Sequence, residues 1–96
     1  VLVDGEEDRL DKIAEVLKTT DSMFLVEGHT ARVGSLEGEK ELSYERAMTI
    51  IKELVKRGIK EDRFICKARG GSSPIDTNET EEGRARNRRV EITILE

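Results

Sequence analysis

Between Met23 and Ala68 the chain alternates short apolar runs with a helical stripe, and that order restricts the possible folds more than any other feature. Met23-Phe24-Leu25-Val26 is a continuous apolar run, the pattern of a strand covered on both faces, and Gly28 closes it. Ala47, Ile50, Ile51, Leu54 and Val55 recur at helical spacing and lay one apolar stripe along a helix. Gly58 stands where a left-handed residue ends such a helix. Arg63 to Ala68 then reads as another strand. Strands joined through a helix imply a crossover connection, which packs helices against one side of a sheet.

The flanking segments extend the same pattern. Val1 to Asp4 reads as a short first strand ended by Gly5. A first helix starts among Glu6, Glu7 and Asp8, whose charges suit a helix N-terminus, and Leu10, Ile13, Ala14 and Leu17 give it an apolar face. Thr19 to Ser22 is a turn. Thr30 to Glu41, rich in Gly and Glu, reads as a loop, with Ser43 as the N-cap of the second helix. Gly70-Gly71-Ser72-Ser73-Pro74 is a turn, Thr80 to Asn87 a short third helix, and Val90, Ile92 and Ile94 alternate with Glu91, Thr93 and Leu95 in a final strand. The fold class that follows is α/β, an α+β sandwich of two long helices and one short one on a mixed sheet of three to four strands.

At 96 residues, with 35% hydrophobic and 40% charged residues, the chain suits a single domain over residues 1–96. It opens on Val1 rather than Met, which reads as a fragment or mature domain of a longer protein. No apolar run reaches the roughly 20 residues of a membrane span, so this segment inserts into no bilayer directly. A net charge of −4 argues against nucleic acid as partner. Arg69, Arg84, Arg86, Arg88 and Arg89 cluster late in the chain, but Glu79, Glu81, Glu82 and Glu91 are interleaved with them and can pair locally. Cys66 has no second cysteine to bridge and reads as a small buried hydrophobe.

The segment from Gly28 to Leu54 reads GHTA, ten residues, LS, two residues, RA, two residues, Ile, three residues, Leu. Further on come Gly83-Arg84 and Asn87-Arg88-Arg89-Val90-Glu91. This layout resembles the OmpA-like domain, of the outer-membrane protein A C-terminal and peptidoglycan-associated lipoprotein type, over roughly Leu10 to Ile94. The resemblance implies a periplasmic domain, associated with the outer membrane or cell wall, that tethers an envelope protein to peptidoglycan. The link from Asp4 to the first helix is shorter than is usual in the family, which implies a reduced groove edge or a first strand missing from the sheet.

The resemblance also implies a ligand groove at Thr30, Ala31, Glu39, Leu42 and Arg46. Family members hold the diaminopimelate of the stem peptide, whose ammonium meets an Asp after the Thr and whose carboxylate meets the Arg of the RA pair. Arg46 occupies that Arg position, and its planar fork can grip a carboxylate with two parallel hydrogen bonds. The Asp position is Ala31, and the position three before Leu42, often Asn, is Glu39. Losing one charge-assisted hydrogen bond costs about 1.5–3 kcal/mol, roughly one to two decades in affinity. Read as a residue of the first turn of its helix, Arg46 needs an anionic partner: either the ligand, or Glu39, Glu45 or Glu91. Glu39 reads either as a replacement anion or, with Glu37 and Glu41, as part of a solvated acidic loop.

His29, lacking a second His or Cys at ligand spacing, reads as a hydrogen-bonded strand-end residue rather than a metal ligand. Asn87 and Arg88 read as scaffold residues tying the short helix to the sheet, with a ligand contact at the groove rim open to them. Ser72 and Ser73 lack a nucleophile elbow, and Gly70-Gly71 is too short for a phosphate loop. No catalytic residue, metal or cofactor is implied. The expectation is a non-enzymatic domain with a degenerate peptidoglycan site whose diaminopimelate binding is weak or lost. The alternatives are retained binding with altered stem-peptide specificity, or a protein-interaction or structural module partnered by other domains or envelope proteins.

Overall fold

In the computed structural model, which describes residues 2–3, 7–32 and 34–95, four strands form one mixed sheet in the order β1-β4-β2-β3. The elements run β1 (Leu2–Val3), α1 (Glu7–Leu17), β2 (Met23–His29), α2 (Leu36–Lys56), a 3-10 turn (Glu61–Arg63), β3 (Phe64–Gly70), α3 (Glu81–Asn87) and β4 (Arg89–Leu95). Strands β2 and β3 are parallel, as the crossover through α2 requires, and β4 returns antiparallel to β2 with Val26 opposite Ile92. Strand β1 is in the sheet, antiparallel to β4 with Val3 opposite Val90, so the short link before α1 does not remove it. Val1, Asp4, Gly5 and Glu6 lie outside the described residues.

The apolar stripes of both helices meet one face of the sheet. Leu10, Ala14 and Leu17 of α1 and Ala47, Ile51 and Leu54 of α2 enclose Phe24, Val26 and Ile92 in one core. The stripe in α2 is the one its sequence spacing predicts, and Gly58 follows its end with a φ of 101°, the left-handed conformation expected there. Full coverage of the Met23–Val26 run is corrected. Phe24 and Val26 are buried under the helices, whereas Met23 is exposed and Leu25 only half-buried on the opposite face. Its continuous hydrophobicity therefore overstates its burial.

The start of α2 is also corrected. Ser35, not Ser43, is the N-cap: its Oγ accepts a hydrogen bond from Gly38 N at 3.1 Å, and Glu37 and Glu39 place their charges against the positive end of the helix. Ser43 lies inside the helix, fully buried, where its hydroxyl donates to Lys40 O at 2.8 Å and accepts from Gly70 N at 3.0 Å. Of the residues read as loop, Leu36 to Glu41 thus form the first turns of a 21-residue helix, while Thr30 to Ala31 and Gly34 to Ser35 remain outside it. Arg46 consequently lies well inside α2, away from the repulsive end of the dipole. Helix α3 begins as predicted, with Thr80 Oγ1 accepting from Gly83 N at 3.0 Å.

Candidate functional site

Strand β2 ends at His29, and the next two residues carry the chain toward the first turn of α2. Between them lies a cleft of about 190 Å³ lined by Thr30, Ala31, Gly34, Ser35, Gly38, Glu39, Leu42, Arg46 and Arg88. All five groove positions singled out in the sequence, Thr30, Ala31, Glu39, Leu42 and Arg46, are therefore brought to one place. Proximity follows from the packing of α2 on β2, with Thr30 N also donating to Gly70 O at 2.8 Å to tie the strand end to β3.

Arg46 is half-buried, and its Nη1 donates to the carbonyl of His29 at 3.4 Å. Among the described residues no carboxylate forms an ion pair with it. Burial first, and the nearby Arg88 guanidinium second, lower its pKa from the usual arginine value. The structural pairings considered for Arg46 are thus not made. Glu91 instead accepts from Arg89 Nε at 2.6 Å.

Glu39 is a buried wall rather than part of a solvated loop. It is 5% exposed, and its Oε2 accepts from Gly34 N at 3.1 Å, pinning the segment that precedes α2. Glu37 and Glu41 do face solvent. Ala31 is 2% exposed, and its methyl group is all it offers the cleft. The Thr30 hydroxyl is buried with no hydrogen-bond partner among the described residues. Buried polar groups are rarely left so, and this one lines an open cleft.

Arg88 supplies a second cation to the cleft. Its Nη2 donates to Glu81 Oε1 at 2.5 Å, and Glu81 also pairs with Arg84, so the late arginines do find interleaved acids as expected. Arg69 and Arg86 choose partners from elsewhere, Glu27 and Asp76. Asn87, fully buried, holds the 75–78 loop rather than the sheet: Oδ1 accepts from Ile75 N and Asp76 N, and Nδ2 donates to Asp76 O and Asn78 Oδ1. Asn78 Oδ1 in turn accepts from Arg32 N, beside Ala31. That support was missed in the sequence, where an Asn within a turn carries no sign of its distant partner.

His29 is 4% exposed, with Nε2 3.3 Å from Glu91 Oε2, yet among the described residues neither ring nitrogen meets a partner at hydrogen-bonding geometry. The expected hydrogen-bonded histidine is corrected to a buried, neutral-favouring one. Cys66 is half-buried against the core, and burial pushes its thiol pKa up. Among the described residues no three His, Cys, Asp or Glu side chains gather as a metal site, and no helix is long and apolar enough to cross a membrane.

The sequence profile of the OmpA family matches residues 2–88. The chain belongs to the OmpA family. Outer membrane protein A of Bordetella avium is 38% identical over 87 residues, which is 90% of this chain and 45% of that protein. The peptidoglycan-binding protein ArfA of Mycobacterium tuberculosis is 36% identical over 94 residues, 97% of this chain and 29% of that protein. Among solved structures, the cell wall anchor of the T6SS from Pseudomonas aeruginosa superposes with a TM-score of 0.79 at 35% identity, covering 97% of this chain and 68% of that one. The C-terminal domain of Helicobacter pylori MotB gives a TM-score of 0.85 at 25% identity, covering 95% and 74%. This OmpA-family chain spans less than half the length of those two curated relatives.

Proposed function

We propose that this chain is a non-enzymatic, periplasmic domain of a cell-envelope protein that contacts peptidoglycan through a carboxylate of the stem peptide alone. The observation that carries this reading is Arg46: a half-buried guanidinium on the cleft wall, with no carboxylate paired to it among the described residues. A desolvated cation without a counter-ion is costly to a fold, and an incoming carboxylate would remove that cost. The ammonium of diaminopimelate meets no Asp after Thr30. Ala31 gives it a methyl group, and the lining carboxylate, Glu39, is buried and held in place through Oε2 by Gly34 N. Diaminopimelate binding is therefore weak, by roughly one to two decades relative to a groove that meets both charges. The relatives named for peptidoglycan binding and for cell-wall anchoring support the class of ligand.

Calorimetric titration with a diaminopimelate-containing stem peptide tests this reading in three forms of the domain. The native chain should bind weakly, Arg46→Ala should not bind, and Ala31→Asp should bind about tenfold or more tightly than the native chain. Equal binding by Arg46→Ala and the native chain would remove the carboxylate contact on which the reading depends.

A further inference from the structure

Helices α1 and α2 pack on one face of the sheet, and on the other face the strand registers order the outward side chains in rows. Thr93, Leu25 and Ile65 stand side by side, with Leu95 and Met23 in the neighbouring row, all of them half-buried or exposed. Met23 is 39% and Ile65 40% exposed, so this patch meets solvent. On its other side, toward the His29 end of β2, the next row is Glu91, Glu27 and Lys67. Glu27 accepts from Arg69 Nε at 2.6 Å. Glu91 meets Arg89 and His29 through Oε2, and among the described residues its Oε1 makes no bond. Lys67 is exposed and pairs with no carboxylate among the described residues. The face therefore carries an apolar patch with a free cation at one end of a row and an open carboxylate oxygen at the other.

We infer that a second copy of the chain docks on this face, about a two-fold axis running along β2. Rotation about that axis keeps the rows level and lays β3 of one copy over β4 of the other, the aligned way in which two sheets pack. Leu25 then faces Leu25, and Ile65 faces Thr93. Lys67 faces Glu91 of the second copy, and the symmetry makes that pair twice. An axis across the strands would instead set Glu91 over Leu95 and Glu27 over Met23, charge against apolar surface. The axis along β2 also leaves both β2 strands pointing the same way. Both ligand clefts, which share no lining residue with this face, then open at the same end of the pair. Two clefts so placed suit a bivalent grip on one cell wall. That use of the pair rests on the carboxylate reading above, whereas the pairing itself does not.

Sedimentation equilibrium of the 96-residue chain, carried to about 1 mM to reach weak association, tests the pairing. The native chain should show a monomer–dimer equilibrium. Lys67→Glu and Glu91→Lys should each weaken it by about tenfold or more, because the axis doubles every like-charge contact. An equimolar mixture of the two variants should dimerise again, since each reversed charge then faces its opposite. Ile65→Ser should also weaken the dimer. Urea midpoints establish that the variants fold. If Glu91→Lys does not, Lys67→Glu and Ile65→Ser, both at exposed positions, decide the question. A native chain that stays monomeric to about 1 mM overturns the inference, and so does a dimer that neither variant weakens. A mixture of folded variants that fails to recover the dimer overturns the proposed axis and with it the pairing. Lys67→Glu should bind the soluble stem peptide as the native chain does. Absence of stem-peptide binding beside an intact dimer would sink the carboxylate reading alone and leave the pairing supported.

Discussion

Gly28 and Ser43 meet backbone to backbone: a Cβ on Gly28 would stand 1.9 Å from the Ser43 carbonyl oxygen. That approach seats α2 against the end of β2, and so sets where Arg46 and Leu42 face Ala31. A side chain at Gly28 can be admitted only by moving the helix off the sheet, because the nearest atom is backbone rather than a flexible side chain. Gly28→Ala should therefore destabilise the domain by about 1–3 kcal/mol or more. Urea denaturation checks this as a lowered midpoint at unchanged slope. An unaltered midpoint would mean that α2 can shift at no cost.

Asn87 offers a second, independent lever. Its side chain is the only acceptor the described residues provide for the N–H groups of Ile75 and Asp76, and it lies wholly out of solvent. Asn87→Ala leaves both donors without their acceptor and should cost about 3 kcal/mol. Hydrogen exchange at Ile75 and Asp76 should accelerate more than exchange in β2, since the loop loses its anchor first. Uniform acceleration throughout the chain would show instead that Asn87 supports the fold as a whole.

Periodicity made most of this fold legible. The stripes in α1 and α2, the end at Gly58 and the alternation in β4 each depend on neighbours within a few residues, so the sequence carries them locally. The start of α2 was misread because Gly34 and Gly38 look like loop residues, although Ser35 followed by Glu37 and Glu39 is a cap with acids in the first turn. The five positions that line one cleft were singled out by the spacing of a recognised motif, not by chemistry visible in any one residue. Arg88, for which the motif left a rim contact open, stands just before β4 and reaches the cleft where β4 pairs with β2, a pairing no local pattern announces. The roles of Glu39 and Asn78 depend on bonds to Gly34 and Arg32, and Asn78 reaches across 46 residues of chain to make its contact.

His29 should give the domain a pH dependence of defined sign. Burial, and then Arg89, lower its pKa from 6.5; Glu91 and Glu27 oppose the shift, and Arg69 reinforces it. The unfolded chain therefore binds a proton that the folded chain resists. Stability is full above about pH 6.5 and falls as the pH drops from there through the lowered folded value. Urea midpoints measured across this window should decline for the native chain and stay flatter for His29→Gln. The slope with pH is the readout, so a general loss of stability in the variant would not imitate the result. A native midpoint that rises as the pH falls through the window would show that Glu91 and Glu27 outweigh burial.

Arg46 should separate binding from stability. Among the described residues its side chain donates a single long hydrogen bond, to His29 O, while burial and Arg88 both work against its charge. Replacing it with a neutral chain of similar reach removes the unfavourable charge and keeps an apolar stem at the position. Arg46→Met should leave the urea midpoint unchanged or raised, and should weaken stem-peptide binding by about tenfold to a hundredfold. Arg46→Lys should recover little of that affinity, because an ammonium lacks the planar fork that matches a carboxylate. A large drop in the midpoint of Arg46→Met would make the residue a structural support. A neutral or raised midpoint with lost binding would mean that the fold carries an unpaired cation for its ligand.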